Sequence, residues 1–267
     1  MSSISVIDVS IAIICFLILH CLLFKKPHDR FLRNWPVVGM LPGLFLVIHR
    51  IHDFVVELLE YSDLTFPFKG PCFAGMDILF TADPANIHYL LNSNFLNFTK
   101  GSDLKEIFDS FGDSIFTKDS EAWKNLRKAS HFIINHQGFQ RLSMSTTTNV
   151  LPSGHKVEAN SKILIFIYAL GRMRAIWGED ALEFKPERWI SETGALRHVP
   201  SFKFLAFNGG PRSCLGKKLA MFAMKTVAVA ILQNYDIKVV KGQKIEPNVQ
   251  MSLKMKHGLK VTINKRW

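Results

Sequence analysis

A cysteine that directly precedes a predicted helix is the most reactive feature of this sequence. Cys214 lies in the stretch FNGGPRSCLG, residues 207–216, and a long apolar helical pattern follows from Leu215 to about Asn234. Unpaired N–H groups at a helix start and the positive end of the helix dipole both favour a thiolate. The pattern indicates a charged sulfur ligand. The alternative is an inert buried cysteine in a glycine turn.

The residues around this sulfur suit a flat ligand that carries acidic groups. Arg212 has a permanent positive charge that is suited to a carboxylate, and Phe207 is expected to keep water away from the sulfur. Glycines in the loop allow backbone dihedrals that other residues avoid, and they permit a close approach to a planar group. These glycines are Gly209, Gly210 and Gly216. Together the residues describe an axial ligand beneath a macrocycle with acidic side groups.

This loop resembles the F-x-x-G-x-R-x-C-x-G pattern of the cytochrome P-450 superfamily at every fixed position. The resemblance implies that Cys214 is the thiolate ligand of the iron of haem b, where it donates electron density toward bound oxygen. In WKNLRK, Trp123 and Arg127 stand four residues apart on one helical face. The resemblance implies that this pair and Arg212 contact haem propionates, whereas such a pair alone would more often have a structural role.

Two motifs of the family, E-x-x-R and A/G-G-x-D/E-T, cannot be found in this sequence. The first of them would pair with an arginine that this chain does contain. FKPERW, residues 184–189, resembles a family signature whose arginine, here Arg188, has a structural role in an ion network with an E-x-x-R motif. No glutamate here is followed by an arginine three residues later, so we expect Arg188 to lack partners, at a cost of about 3–5 kcal/mol. The distal A/G-G-x-D/E-T motif is also missing, so no catalytic residue is predicted beyond the haem ligand.

The resemblance extends over most of the chain and is closest to plant microsomal hydroxylases of long-chain alkanes and fatty acids. Near STTTNVLPSGHKV the chain passes from family sequence that follows the Trp/Arg helix to family sequence that precedes the cysteine loop. The fold implied is α+β, mainly α: a partial cytochrome P-450 fold that lacks its central helices.

The elements that must position these residues follow from periodicity and turn chemistry. Helices are predicted over 50–61, over 119–139 with Asp119 or Ser120 as cap, and from Asp83-Pro84 onward. Residues 70–84 predict two short strands with a turn at Gly75, and residues 156–170 predict a strand. Further strands are expected after the helix that ends near Asn234.

The N-terminus predicts a membrane anchor. Residues 4–24 are largely apolar and long enough to cross a bilayer. Lys25 and Lys26 follow at once, which orients that side to the cytosol. A secretory signal and a buried soluble helix are the alternatives. We divide the chain into a signal anchor (1–24), a basic, proline-rich linker (25–49), the N-terminal part of the haem domain (50–148) and its C-terminal part with the cysteine loop (149–267).

Composition and net charge limit the kinds of macromolecule that the protein is expected to bind. Hydrophobic residues make up 48% of the 267 residues, which suits a large core, and the net charge is +11. The basic residues form no stripe with aromatics, so nucleic acid is not expected. Lys217, Lys218 and Lys225 could instead dock an acidic NADPH-dependent reductase, or form an ordinary solvated helix face.

Two functions follow from the resemblance. The first is a haem-thiolate monooxygenase that hydroxylates long aliphatic substrates with O₂ and reductase electrons. It would be held in the endoplasmic-reticulum membrane by a single span, with its N-terminus in the lumen and its main domain in the cytosol. The second is an inactive truncated relative that binds haem weakly or competes for the reductase. The missing motifs favour the second function, whereas the cysteine loop favours the first.

Overall fold

The computed structural model describes residues 6–23, 32–108, 117–129, 141–248 and 254–267. Within these ranges the helices are α1 (Val6–Leu23), α2 (Leu41–Val47), α3 (Ile51–Tyr61), α4 (Pro84–His88), α5 (Gly101–Ile107), α6 (Ser120–Ala129), α7 (Ile167–Leu170), α8 (Arg174–Trp177) and α9 (Lys217–Asn234). The strands are β1 (Thr65–Phe68), β2 (Ile78–Thr81), β3 (Phe98–Thr99), β4 (Arg141–Ser145), β5 (Asn149–Val150), β6 (Lys156–Val157), β7 (Lys162–Ile165), β8 (Tyr235–Val239), β9 (Pro247–Asn248), β10 (Lys254–Met255) and β11 (Val261–Lys265).

A five-stranded sheet with the order β1-β2-β7-β4-β3 is the centre of the described fold. Its strands pair antiparallel, except that β2 and β7 run parallel, with Leu79 opposite Ile163. Ile163 and Ile165 are fully buried, which fits a strand covered on its inner face. The sheet combines strands from both predicted parts of the haem domain, so the two parts share one core.

Helix α3 covers this sheet with an apolar face. Phe54, Val55, Leu58 and Leu59 are buried and belong to the same hydrophobic cluster as Phe80. Their spacing of three and four residues is what an amphipathic helix needs to bury one stripe. The predicted helix over 50–61 is therefore confirmed, one residue shorter at its start.

A buried polar network connects the chain on either side of the predicted junction at 148/149. The amide nitrogen of Asn86 donates to the hydroxyls of Thr65, at 3.1 Å, and Ser153, at 2.8 Å. The Ser153 backbone N–H donates back to Oδ1 of Asn86 at 3.1 Å. Because buried polar groups are costly when unpaired, these reciprocal bonds fix the 149–157 hairpin against α4.

The C-terminal helix lacks such cover. None of the residues of α9 is buried, and Phe222 in its middle is 69% exposed. The two-stranded sheet formed by β8 and β11 is also exposed, with Ile237 opposite Ile263. In an ordinary domain, a helix as apolar as α9 is expected to be buried. In this chain the apolar side chains of α9 are exposed.

Several expectations about elements need correction. Residues 70–77 form a turn rather than a strand, because Pro71 and the left-handed Gly75 (φ 56°) interrupt extended backbone. Within 156–170 the chain forms two strands and then the short helix α7. The helix predicted over 119–139 is described from Ser120 to Ala129, and the rest of that prediction lies outside the described residues.

The N-terminal segment forms helix α1 over Val6–Leu23. In the part of the chain that the structure describes, no helix combines the length and apolarity required to cross a membrane. The transmembrane prediction is therefore not supported by the structure. Residues 25–31 of the predicted linker lie outside the described ranges.

Candidate functional site

The cysteine loop ends at the start of α9, as the sequence predicts. Cys214 is half-buried and precedes the first helical residue, Lys217, by three positions. Its backbone N–H donates to the carbonyl of Phe207 at 2.7 Å, which closes the loop on itself. The Lys217 ammonium nitrogen lies 5.6 Å from the centre of the Phe207 ring. The loop that carries the sulfur therefore closes on itself directly before a helix start.

One glycine of the loop is required by its surroundings. Gly210 has a φ of 63°, and a Cβ there would overlap the backbone carbonyl of Leu91, which follows α4. Of the three loop glycines expected to allow such dihedrals, Gly210 alone adopts one. Gly209 has a φ of −138° and Gly216 a φ of −95°, values open to any residue. Asn208, on the other side of Gly209, is also left-handed, at 60°.

Helix α6 brings its two predicted residues to the loop. Trp123 is buried, and the Arg127 guanidinium lies 5.5 Å from the centre of its ring. Arg127 Nη2 donates to the backbone carbonyl of Ser213 at 2.8 Å. Burial lowers the pKa of Arg127, and the charge of the neighbouring Cys214 opposes that shift. The spacing of four residues thus places one cation directly against the segment that carries the sulfur.

Arg212 is the most enclosed charge of the site. Its side chain is 8% exposed and forms an ion pair with Asp119, one residue before α6. The guanidinium carbon lies 4.8 Å from the centre of the Phe95 ring and 5.5 Å from that of Trp123. Burial lowers the pKa of Arg212, while Asp119 works in the opposite direction. Aromatic rings of this kind favour a guanidinium by cation–π attraction.

The remaining nitrogens of this guanidinium show that the residues fit an anionic macrocycle. Nη2 of Arg212 is taken by Asp119, but Nε and Nη1 are buried and have no hydrogen-bond partner. Buried donors without partners are rare and costly. A carboxylate-bearing ligand would satisfy them, and the nearby thiol of Cys214 is the donor that haem iron would need. On this observation the chain's residues fit haem.

Arg188 has partners that the sequence analysis did not foresee. Its Nη1 contacts Oδ1 of Asp180 at 3.2 Å, and its Nη2 donates to the Asp180 backbone carbonyl at 2.8 Å. The expectation of an isolated charge was wrong, because the loop after α8 folds back over the guanidinium. Arg188 is therefore paired locally, next to the aromatic cluster of Trp177, Trp189 and Phe204.

Two site residues escaped the sequence analysis. Asp119 was considered only as a helix cap, although an acid four residues before the tryptophan of the Trp/Arg pair could have suggested a partner for a loop arginine. It also accepts a hydrogen bond from the Lys100 backbone N–H at 3.0 Å. Phe95 had no signal, because nothing in a single sequence connects residues this far apart.

Comparison with known proteins identifies a family model and relatives that this chain matches. A model of the cytochrome P450 family matches residues 136–263. Alkane hydroxylase MAH1 from Arabidopsis thaliana is 30% identical over 472 positions, which include 91% of this chain and 95% of the hydroxylase. That alignment is far longer than the 267 residues of this chain, so a large internal part of the hydroxylase has no counterpart here.

Other relatives match a shorter segment more closely. Noroxomaritidine synthase from Narcissus aff. pseudonarcissus is 52% identical over 118 residues, 44% of this chain and 23% of the synthase. Cytochrome P450 86B1 from Arabidopsis thaliana is 48% identical over 118 residues, 44% of this chain and 21% of that protein. This chain thus covers less than a quarter of the length of these two relatives.

Proposed function

This chain belongs to the cytochrome P450 family, whose members are haem-thiolate monooxygenases, and we propose that it holds haem through Cys214. The supporting observation is the convergence of a half-buried cysteine, a helix start and two arginines on one loop.

The residues of the chain would divide the binding between them. Cys214 would supply the iron ligand from its position before the start of α9, beside the Ser213 carbonyl that Arg127 contacts. Arg212 offers Nε and Nη1 to a propionate, and Trp123 holds both guanidinium groups in place. Phe207 limits the access of water to the sulfur. When bound, haem supplies the activation of O₂, with one oxygen atom inserted into a C–H bond and the other reduced to water.

We propose long aliphatic molecules as the substrate class. The support is the likeness to a protein named alkane hydroxylase, aligned over 91% of this chain. Family members take hydrophobic substrates and receive electrons from a redox partner. The exposed lysines at 217, 218 and 225 on α9 are the proposed docking face for an NADPH-dependent reductase. The endoplasmic-reticulum membrane is our proposed location, on the N-terminal sequence pattern alone.

A second candidate is a family member without catalysis. It is favoured by the exposed apolar residues along α9 and by the lack of the distal A/G-G-x-D/E-T motif in the sequence. Without a distal wall, a bound haem would meet water on one face and would oxidise readily. Such a protein would bind haem, or compete for the reductase, and would not hydroxylate.

A carbon monoxide difference spectrum separates these candidates. The chain is expressed with haem supplied, reduced, and compared with a Cys214→Ala variant. A thiolate-type band that the variant loses supports haem binding through Cys214, and hydroxylation of a long-chain alkane or fatty acid with added reductase then supports the enzyme. A thiolate-type band without turnover supports the second candidate. Equal haem uptake by the chain and the variant contradicts the proposed ligand.

A further inference from the structure

The half-buried acid that pairs with Arg212 has no role in the proposed binding of haem. Asp119 and Arg212 are 93 residues apart in sequence and form an ion pair with side chains that are 15% and 8% exposed. We propose that Asp119 is an internal carboxylate that competes with the acidic groups of a porphyrin for Arg212. This inference rests on the proposed function and concerns the selectivity of the same site.

The argument begins with what Arg212 requires when no ligand is present. Its side chain is 8% exposed, so little water reaches the guanidinium, although the rings of Phe95 and Trp123 flank it. A counter-charge inside the protein is then needed to keep the arginine in the fold. Asp119 supplies it from the turn before α6, where the Lys100 backbone N–H fixes its other oxygen at 3.0 Å.

The same contact acts against an incoming carboxylate. Asp119 uses Nη2 of Arg212 and neutralises its charge, while Nε and Nη1 keep hydrogen-bonding capacity. A porphyrin carboxylate that binds these nitrogens therefore comes close to a second negative charge. In a site that excludes water, like charges repel more strongly than at a surface. Asp119 should consequently lower the affinity for an anionic porphyrin and not for an uncharged one.

The test uses porphyrins without iron, so that the Cys214–iron bond does not contribute. The full chain and Asp119→Asn are titrated with protoporphyrin IX and with its dimethyl ester, in the same detergent buffer, by porphyrin fluorescence. Asparagine keeps an oxygen acceptor for the Lys100 N–H and removes the charge. We expect Asp119→Asn to bind protoporphyrin IX on the order of tenfold more tightly and the ester with unchanged affinity.

A matched control removes the same charge elsewhere. Asp236 pairs with Arg266 beside the exposed two-stranded sheet of β8 and β11, beyond the far end of the 18-residue helix α9, which is roughly 27 Å long. Asp236→Asn should leave both affinities unchanged. If it raises the affinity for protoporphyrin IX as Asp119→Asn does, the effect belongs to net charge and the inference is overturned.

Other results are equally decisive. Equal or weaker binding of protoporphyrin IX by Asp119→Asn would make Asp119 a support of Arg212 rather than a competitor, and would overturn the inference. So would a failure of every variant to bind either porphyrin. If Asp119→Asn does not fold, Asp119→Ser, which is also uncharged and suited to a helix start, is titrated with the same expectation. Haem binding through Cys214 is judged separately, by the carbon monoxide spectrum.

Discussion

Replacing Gly210 by alanine tests how the cysteine loop is held. Gly210 has a φ of 63°, where an L-residue is disfavoured by roughly 1–2 kcal/mol. Its Cβ would also overlap the Leu91 carbonyl, and because backbone cannot rotate away, the loop must shift. Overpacking of this kind costs typically about 1–3 kcal/mol more. We therefore expect Gly210→Ala to lower the free energy of unfolding by roughly 2–5 kcal/mol.

Gly154→Ala is the matched control. Gly154 has a φ of 81°, and no atom lies within 4 Å of the position that a Cβ would take there, so only the backbone strain of about 1–2 kcal/mol remains. Both free energies are measured by urea unfolding, followed by tryptophan fluorescence. The difference between the variants isolates the contacts with Leu91 and Asn92. Equal losses in the two variants would refute the reasoning that the loop is pressed against the turn after α4.

Three further predictions concern other parts of the fold. Burial lowers the pKa of His52 in the folded protein, so on acidification the unfolded chain binds a proton at a higher pH than the folded chain does. The free energy of unfolding should therefore fall as the pH drops below the ordinary histidine pKa of about 6.5. His52→Phe should make the free energy of unfolding, measured in urea at several pH values, less dependent on pH in this range. Arg188→Met should lower the free energy of unfolding by about 1–3 kcal/mol, because the Asp180 backbone carbonyl loses its donor, although Lys185 still pairs with the Asp180 carboxylate; an unchanged value would contradict the local pairing. Phe222→Ser, at a position that is 69% exposed, should change the free energy of unfolding by less than about 0.5 kcal/mol and reduce self-association in light scattering; a large loss of stability would mean that α9 is covered.

Local signals predicted the parts of the site that depend on neighbours in sequence. The Phe207–Gly216 loop, the helix that follows it and the Trp123/Arg127 face all follow from short patterns, and the structure has them where expected. The Asp83 cap of α4 is of the same kind, since its side chain accepts from the Ala85 N–H at 2.8 Å. Caps, periodicity and turn residues act over a few positions and can therefore be read from one sequence.

Pairings between distant segments could not be predicted in this way. Asp119 was assigned to the helix start, and its contact with Arg212 depends on how α6 packs against the cysteine loop. Arg188 was expected to be isolated, because its family partners are missing, yet a nearby loop provides others. In both cases a largely enclosed arginine pairs with an oxygen that the fold brings near, since an unpaired charge inside a protein is costly.

The exposed helix α9 and the cysteine loop at its start depend on different parts of the chain. The loop contacts Leu91, Asp119 and Arg127, which belong to the turn after α4 and to α6. The helix itself buries none of its residues in the described part of the chain. A porphyrin held by Arg212 therefore does not require α9 to be covered, whereas protection of a haem from water does require cover on the distal side. It follows that changes on α9 such as Phe222→Ser should affect solubility and leave porphyrin affinity unchanged. Changes at Asp119 should alter porphyrin affinity and leave solubility unchanged.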